Sequence, residues 1–174
     1  MSTAALDPSH PTHPVATTVA SVRRELRSVA ETPVWSMTPA EAGAALVEVT
    51  RLVAQVAQLQ LRLLAHADRV EVGAEVGATS AANWLAHQTR TTRPAVHRAA
   101  RLARRLDEAY PEVDQALVDG SITVDQAQVI IEAVEALPTD LVDAVMIVEA
   151  KAFLLDQAAD HDARALRILG RRLL

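Results

Sequence analysis

The sequence predicts an all-α fold, a helical bundle built on one long amphipathic helix with helix-turn-helix-like pairs. Three observations favour this class. Half of the 174 residues are hydrophobic but only 2% are aromatic, and a chain rich in Ala, Leu and Val with few aromatic residues favours helices over strands. Apolar residues recur in steps of three and four, as on one face of a helix. Two hydroxyl residues followed three positions later by Glu or Gln mark helix starts.

The amino-terminal residues 1–18 are predicted to form a disordered arm. Three prolines lie there among Ser, Thr and His, with little apolar material to bury. A single helical domain is expected over 19–174. It begins with a short helix from about Val19 to Ala30, and a linker through Pro33 and Trp35 follows.

The long helix begins at Thr38-Pro39-Ala40-Glu41, which combines a capping hydroxyl, a proline at the first helical position and a glutamate that can reach the cap amide. It is expected to extend over about 30 residues, a rod of roughly 45 Å, and to end at Gly73 and Gly77. One apolar stripe is expected to face inward, making this helix the spine of the bundle. The stripe consists of Leu46, Val49, Leu52/Val53, Val56, Leu59, Leu63, Ala67 and Val70.

Shorter helices follow in pairs. The first pair is predicted at about Ala81 to His87, after Thr79 or Ser80, and at Arg93 to about Ala109, where Pro111 ends it. The second pair is predicted at Val113 to Val118 and, after Asp119-Gly120, from the Thr123/Gln126 capping box to about Leu137. A helix starting at Pro138, Thr139 and Asp140 should continue to about Ala158, and Asp160 or Asp162 should cap a last one to Leu174.

The helix beginning at Arg93 separates charge from apolar residues. At 100° per residue, its basic side chains share an arc of about 140° and its apolar ones lie opposite. Residues 90–105 hold six arginines and no acid, whereas residues 106–150 hold eleven acids and no Lys or Arg. Such a basic stripe can contact phosphates even though the net charge is −5. The candidate nucleic-acid-binding residues are Arg90, Arg93, His97, Arg98, Arg101, Arg104 and Arg105.

The same arginines have an alternative use inside the bundle. They could pair with acidic residues of neighbouring helices, as charged faces of bundles commonly do. The expected partners are then Asp107, Glu108, Glu112 and Asp114. Trp84 could stack on a base, although a Trp in a short helix of an aromatic-poor bundle is more often part of the core.

Composition limits the chemistry that the chain can perform. It has no cysteine, which excludes disulfides, thiolate metal sites and a cysteine nucleophile and fits a cytoplasmic location. The amino terminus lacks a signal peptide pattern, and no segment reaches the roughly 18 apolar residues of a membrane span. No catalytic or phosphate-loop motif occurs and the histidines show no ligand spacing. We expect no catalytic residue, metal, cofactor, small-molecule substrate or membrane partner.

Several blocks in order resemble a known family, the domain of unknown function 222 of the actinobacterial 13E12-repeat proteins. The resemblance covers about residues 40–174. Its blocks are Leu61-Arg62-Leu63-Leu64-Ala65, Thr79 to His87, Ala99-Ala100-Arg101-Leu102-Ala103-Arg104-Arg105-Leu106 and Gly120-Ser121-Ile122-Thr123-Val124-Asp125-Gln126-Ala127. In that family the helical region usually precedes a carboxy-terminal HNH endonuclease domain and belongs to a mobile-element context. The pattern is still helical at Leu174, so we expect this chain to stop short of an HNH block.

The resulting hypothesis is a non-catalytic helical module of an HNH nuclease-like protein, which targets or positions DNA with low sequence specificity through its arginine-rich helix. Arginines at phosphates fix position, and no Asn or Gln lies on the basic face to read bases. The alternative hypothesis is a protein-interaction or self-association module without nucleic-acid contact, in which the long helix pairs with another copy.

Overall fold

The computed structural model describes residues 13–138 and 142–173, and in these residues it contains eight α-helices and no strand. The predicted all-α fold is confirmed. The chain divides into two compact units, residues up to Gly43 and Ala44–Leu174. The helices are α1 Pro14–Ser28, α2 Pro39–Arg69, α3 Ala81–Thr89, α4 Arg93–Ala109, α5 Pro111–Val118, α6 Val124–Glu135, α7 Ala144–Gln157 and α8 Ala163–Arg172.

Helix α1, in the first unit, begins earlier than predicted. Residues 14–18 are helical, so the predicted disorder over 1–18 is wrong for them, while residues 1–12 lie outside the described part. The reason is local: Pro14 stands at the first helical position and the His13 ring Nδ1 accepts a hydrogen bond from the Val15 amide. The predicted start of α2 is confirmed, because Glu41 accepts from the Thr38 amide at 2.8 Å. This hydrogen bond lowers the pKa of the Glu41 carboxyl.

In the second unit, α2 buries a different face from the one predicted. Its buried residues are Ala54, Gln58, Leu61 and Leu64. The predicted inward stripe is wrong, because most of its members are exposed, namely Leu46, Val49, Val53, Val56, Leu63 and Val70. Both sets have helical spacing, and the set that contacts the other helices includes a polar residue, Gln58, whose amide donates to both carboxylate oxygens of Asp114 at 2.9 and 3.0 Å.

The centre of the second unit is α6, not α2. Helix α6 buries Ala127, Val129, Ile130, Ile131 and Val134 and packs against α5, α7 and α8. Its contact with α8 is close, since a Cβ added at Gly170 would lie 2.6 Å from the Ala133 Cβ. Helix α2 contributes only Ala54 and Leu61 to the main core, whose largest share comes from α6.

The starts of the later helices follow side-chain caps. The predicted caps at Ser80, Thr123 and Asp162 are confirmed, and Thr123 and Gln126 form the full capping box. Helix α7 begins at Ala144 because Asp143 accepts from the Met146 amide at 2.9 Å. The predicted start at Pro138 is therefore wrong for Pro138 itself, and Thr139 and Asp140 lie outside the described residues.

Both predicted helix pairs form contacts between their members. Helices α3 and α4 pack together across a three-residue connection, and α5 and α6 pack across residues 119–123. Gly120 turns this second connection with φ of 67°, a left-handed conformation that suits glycine. Among residues 13–138 and 142–173, no helix combines the length and the apolar character that crossing a membrane requires.

Candidate nucleic-acid interface

Helix α4 presents arginines to solvent because the opposite side of the helix is buried against other helices. Val96, Leu102, Ala103 and Leu106 are buried. Leu102 and Leu106 join the main core, while Val96 packs with residues of α2 and α3 in a smaller cluster. The predicted division of this helix into an apolar back and a basic front is confirmed. We call Arg93, Arg98, Arg101, Arg104 and Arg105 of α4, with Arg90 in the preceding turn, the arginine face.

Four residues of the arginine face form no ion pair within the part of the chain that the structure describes. Arg90, Arg93, Arg98 and Arg101 are exposed, and none of them forms an ion pair with a carboxylate in residues 13–138 and 142–173. Arg90 is the residue after α3 and has φ of 56°. These four guanidinium groups keep their hydrogen-bond donors available to an external anion.

The other two arginines are used inside the chain. The Arg104 guanidinium lies 3.9 Å from Asp68 on α2, and that of Arg105 lies 3.1 Å from Glu135 at the end of α6. Both pairs are partly exposed. The predicted alternative of internal pairing thus holds for two of the six arginines.

The partners predicted for that internal pairing are wrong. Within the described part of the chain, Asp107 pairs with Arg69, Glu112 with Lys151 at 2.7 Å, and Asp114 accepts from Gln58, while Glu108 forms no ion pair. Acidic residues on the same or the next helix point toward α2 or α7 rather than toward the front of α4. Closeness in sequence therefore does not identify the ion-pair partners of the arginines on α4.

His97 is placed differently from the arginines. It is half-buried, and its Nε2 lies 3.0 Å from the Asn83 side-chain oxygen. The Asn83 amide nitrogen donates to Thr79 at 2.7 Å, so its oxygen is left to accept from the His97 Nε2–H. The imidazole thus links α4 to α3, and the structure does not present it to solvent as it presents the neighbouring arginines.

An open cleft of ≈610 Å³ borders the arginine face at Arg93. Its other polar walls come from Thr79, Asn83, His87 and Gln88, and Trp84 contributes an aromatic wall. Trp84 is half-buried and packs on the backbone at Gly73, where an added Cβ would lie 2.5 Å from the indole ring. The tryptophan is therefore both a packing residue and a surface beside the arginines.

Sequence reasoning misses a second group of arginines. Helix α8 buries Leu166 and Gly170, and its outer residues Arg164, Arg167, Arg171 and Arg172 are exposed. The helical spacing gives a signal for this group, because Arg164, Arg167 and Arg171 are three and four residues apart and therefore share one face of a helix. In the described ranges none of these four forms an ion pair.

Fold and surface together define an all-α domain with an exposed arginine-rich helix, and the described residues contain no cluster of His, Asp or Glu that could hold a metal ion. The chain belongs to the family described as "Domain of unknown function (DUF222)", which matches residues 19–174. The predicted family is confirmed, and the match begins about twenty residues before the predicted 40. No curated protein and no solved structure matches the chain.

Proposed function

We propose that this domain is a non-catalytic module that positions DNA by contacting its phosphates through Arg90, Arg93, Arg98 and Arg101. The proposal rests on one observation, which is that these arginines are exposed to solvent and have no carboxylate partner in the described residues. These four arginines are exposed and form no ion pair in residues 13–138 and 142–173. Guanidinium groups with free donors bind phosphate through charge-assisted hydrogen bonds.

The dimensions of the helix support the proposal. An α-helix with its side chains is about 10–12 Å in diameter. The major groove of B-DNA is also about 12 Å wide and admits an α-helix. The α3–α4 pair has the short connection of helix-turn-helix units, in which the second helix meets the groove.

The charges around the helix also support the proposal. The net charge of the chain is −5, yet three acids that could have neutralised the arginine face interact elsewhere, Asp107, Glu112 and Asp114. A local positive surface is therefore left on a negative protein. Phosphate contacts fix the position of a protein on DNA and carry little sequence information, so we expect low sequence specificity.

The family resemblance extends the proposal to a larger protein. It implies that the helical region precedes an HNH endonuclease domain. In such a protein the helical region would hold the DNA and the HNH domain would cleave it. Translating the reading frame beyond Leu174 tests this, because an HNH motif should follow. The chain of 174 residues should itself leave supercoiled plasmid uncut in Mg²⁺, and nicking that persists after repurification would contradict the non-catalytic assignment.

The binding proposal is tested with a matched pair of double variants. Arg98→Ala/Arg101→Ala removes two free arginines from the arginine face, and Arg164→Ala/Arg167→Ala removes two exposed arginines from α8. By fluorescence anisotropy with a labelled duplex at about 50 mM salt, we expect the first variant to bind about thirtyfold more weakly, because two lost charge-assisted contacts at about 1 kcal/mol each amount to about 2 kcal/mol. The second should bind as the unaltered chain does.

Two outcomes would contradict the proposal. One is that the unaltered chain shows no affinity for duplex DNA at this salt concentration, where phosphate contacts are strong. The other is that both double variants lose the same affinity, because binding would then follow total charge rather than the arginine face. Circular dichroism of both variants, with unchanged helicity, excludes unfolding as the cause.

A further inference from the structure

Helix α3 has a buried side and a side that faces the open cleft beside Arg93. Its buried residues are all alanines, Ala81, Ala82 and Ala86, and at 100° per residue they share an arc of about 140°. We call the cleft, of ≈610 Å³, the Trp84 cleft. The residues that α3 contributes to it share the other arc of the helix and are Asn83, Trp84, His87 and Gln88.

The Trp84 indole is held in place on the wall of the Trp84 cleft. Gly73, with φ of 92°, lies so close to the indole that an added Cβ would be 2.5 Å from Cδ1 and 2.7 Å from Cγ. The tryptophan is half-buried and still lines the cleft. Because its position is fixed by packing, little conformational entropy is lost when another ring stacks on it. Trp84 is therefore a preformed aromatic surface.

The polar groups around the indole suit the edge of a heterocyclic base. His87 and Gln88 are exposed, and their side chains form no hydrogen bond within residues 13–138 and 142–173. An imidazole and an amide each offer a donor and an acceptor to a base edge. Asn83 is instead occupied by His97 and Thr79, at 3.0 and 2.7 Å. Two side chains of the cleft are thus available to a ligand.

The charge of the Trp84 cleft favours an anionic ligand. Among the described residues, none that lines the cleft is acidic, although the chain has 22 Asp and Glu. A cation would therefore meet no opposite charge there, whereas an anion meets Arg93, which is exposed and forms no ion pair in the described part of the chain. The volume lies in the range of roughly 300–1,000 Å³ that is usual for ligand sites. Because the cleft is open, its ligand can remain part of a longer strand.

We propose that the Trp84 cleft binds one unpaired nucleotide of a DNA strand. The base stacks on Trp84, and His87 and Gln88 contact its edge. The phosphate of the same nucleotide lies at Arg93. This inference rests on the proposed function, because the other free arginines of the arginine face would hold phosphates of the adjoining duplex. Inside a duplex a base is covered by its neighbours, so the cleft selects DNA with an unpaired segment.

The first experiment compares three DNA probes that share one duplex. The first probe is blunt. The second is forked, so that both strands end in unpaired adenine tails, and the third has the same fork with abasic sugar–phosphates in the tails. The two forks carry equal charge, so a difference between them reports the bases alone. By fluorescence anisotropy, the unaltered chain should bind the adenine fork about five- to 150-fold more tightly than the abasic fork, which is the range for a base stacked on one aromatic side chain.

Three variants assign this preference to the Trp84 cleft. Trp84→Ala should abolish the preference for the adenine fork and leave the affinity for the blunt duplex unchanged. The matched control is Trp35→Ala, which removes the other tryptophan of the chain, 85% exposed, and should keep the preference. Arg98→Ala/Arg101→Ala should weaken binding of all three probes and keep the ratio between the two forks.

The second experiment observes Trp84 without changing it, so its outcome does not depend on whether Trp84→Ala folds. The variant Trp35→Phe leaves Trp84 as the single tryptophan. The adenine fork should quench the fluorescence of this variant, because a base stacks directly on the indole. The abasic fork and the blunt duplex should leave the fluorescence unchanged.

Two results would overturn the inference and leave the proposed phosphate binding intact. One is that the unaltered chain binds the adenine fork and the abasic fork with equal affinity. The other is that the adenine fork binds while the fluorescence of Trp84 stays unchanged. A chain that binds none of the three probes would instead refute the proposed function, and the inference with it.

Discussion

Charge reversal of two arginine pairs on α4 should separate their structural and binding roles. Arg104→Glu/Arg105→Glu breaks two ion pairs and sets each new carboxylate beside Asp68 or Glu135, which lie 3.9 and 3.1 Å from the present guanidinium groups. Arg98→Glu/Arg101→Glu breaks none in the described residues. Both variants change the net charge by the same amount, so each is the control for the other.

The magnitude follows from the exposure of the two ion pairs. A partly exposed pair contributes about 0.2–1 kcal/mol, and like charges in its place cost a similar amount, so two reversals should lower the free energy of unfolding by about 1–2 kcal/mol. For a chain of this size that corresponds to about 2–8 °C in melting temperature. The Arg98/Arg101 variant should stay within about 0.5 kcal/mol, as surface substitutions do.

Thermal denaturation followed by circular dichroism, with duplex binding measured on the same samples, gives both readouts. We expect the Arg104/Arg105 variant to melt earlier and the Arg98/Arg101 variant to melt normally but lose DNA binding. Equal losses of melting temperature in the two variants would refute the assignment of structural pairs to Arg104 and Arg105. A larger loss in the Arg98/Arg101 variant would show that these residues have internal partners.

Three further predictions concern stability. Gly120→Ala should lower the free energy of unfolding in urea by more than about 1 kcal/mol, because φ is 67° and the new Cβ would lie 3.0 Å from a backbone oxygen. Gly43→Ala, in an open helical position, should instead raise the free energy of unfolding by up to about 1 kcal/mol. Burial of the Tyr110 phenol, and to a smaller extent a nearby carboxylate, raises the pKa of Tyr110 above 10.0. The stability that this shift contributes is complete below pH 10 and is lost as the pH rises through the folded-state pKa. Tyr110→Phe should therefore remove this loss of stability at alkaline pH. The hydrogen bond from Lys151 lowers the pKa of Glu112 below 4.5, so its contribution is present above pH 4.5 and lost on acidification, and acid melts of Glu112→Gln should lack that component.

Local signals in the sequence identified most helices, and the reason is that caps and glycines act within a few residues. Thr38 with Glu41, Thr123 with Gln126, and Ser80 each satisfy amides at a helix start without help from the rest of the fold. The start of α7 differs from the predicted one, because Asp143 caps the helix and Ala144 is its first residue. The sequence offers an Asp both at 140 and at 143, and local chemistry alone does not decide which one begins the helix.

Tertiary choices were harder to predict. Helix α4 has a single apolar side, so its buried and basic faces followed directly from periodicity. Helix α2 has two, and periodicity predicts burial of the stripe of larger residues, whereas the core uses Ala54 and Leu61 together with the polar Gln58. Periodicity shows that an apolar surface exists, but the neighbouring helices determine whether it is covered. Likewise, only the fold reveals that Arg105 meets Glu135.

The salt dependence of DNA binding tests the central claim most directly. Four free arginines at four phosphates should give a slope of log association constant against log salt concentration of about −3.6, from roughly −0.9 per phosphate. The Arg98→Ala/Arg101→Ala variant should reduce the slope to about −1.8 by the same rule. A slope near zero, or one that this variant leaves unchanged, would contradict phosphate contact through the arginine face.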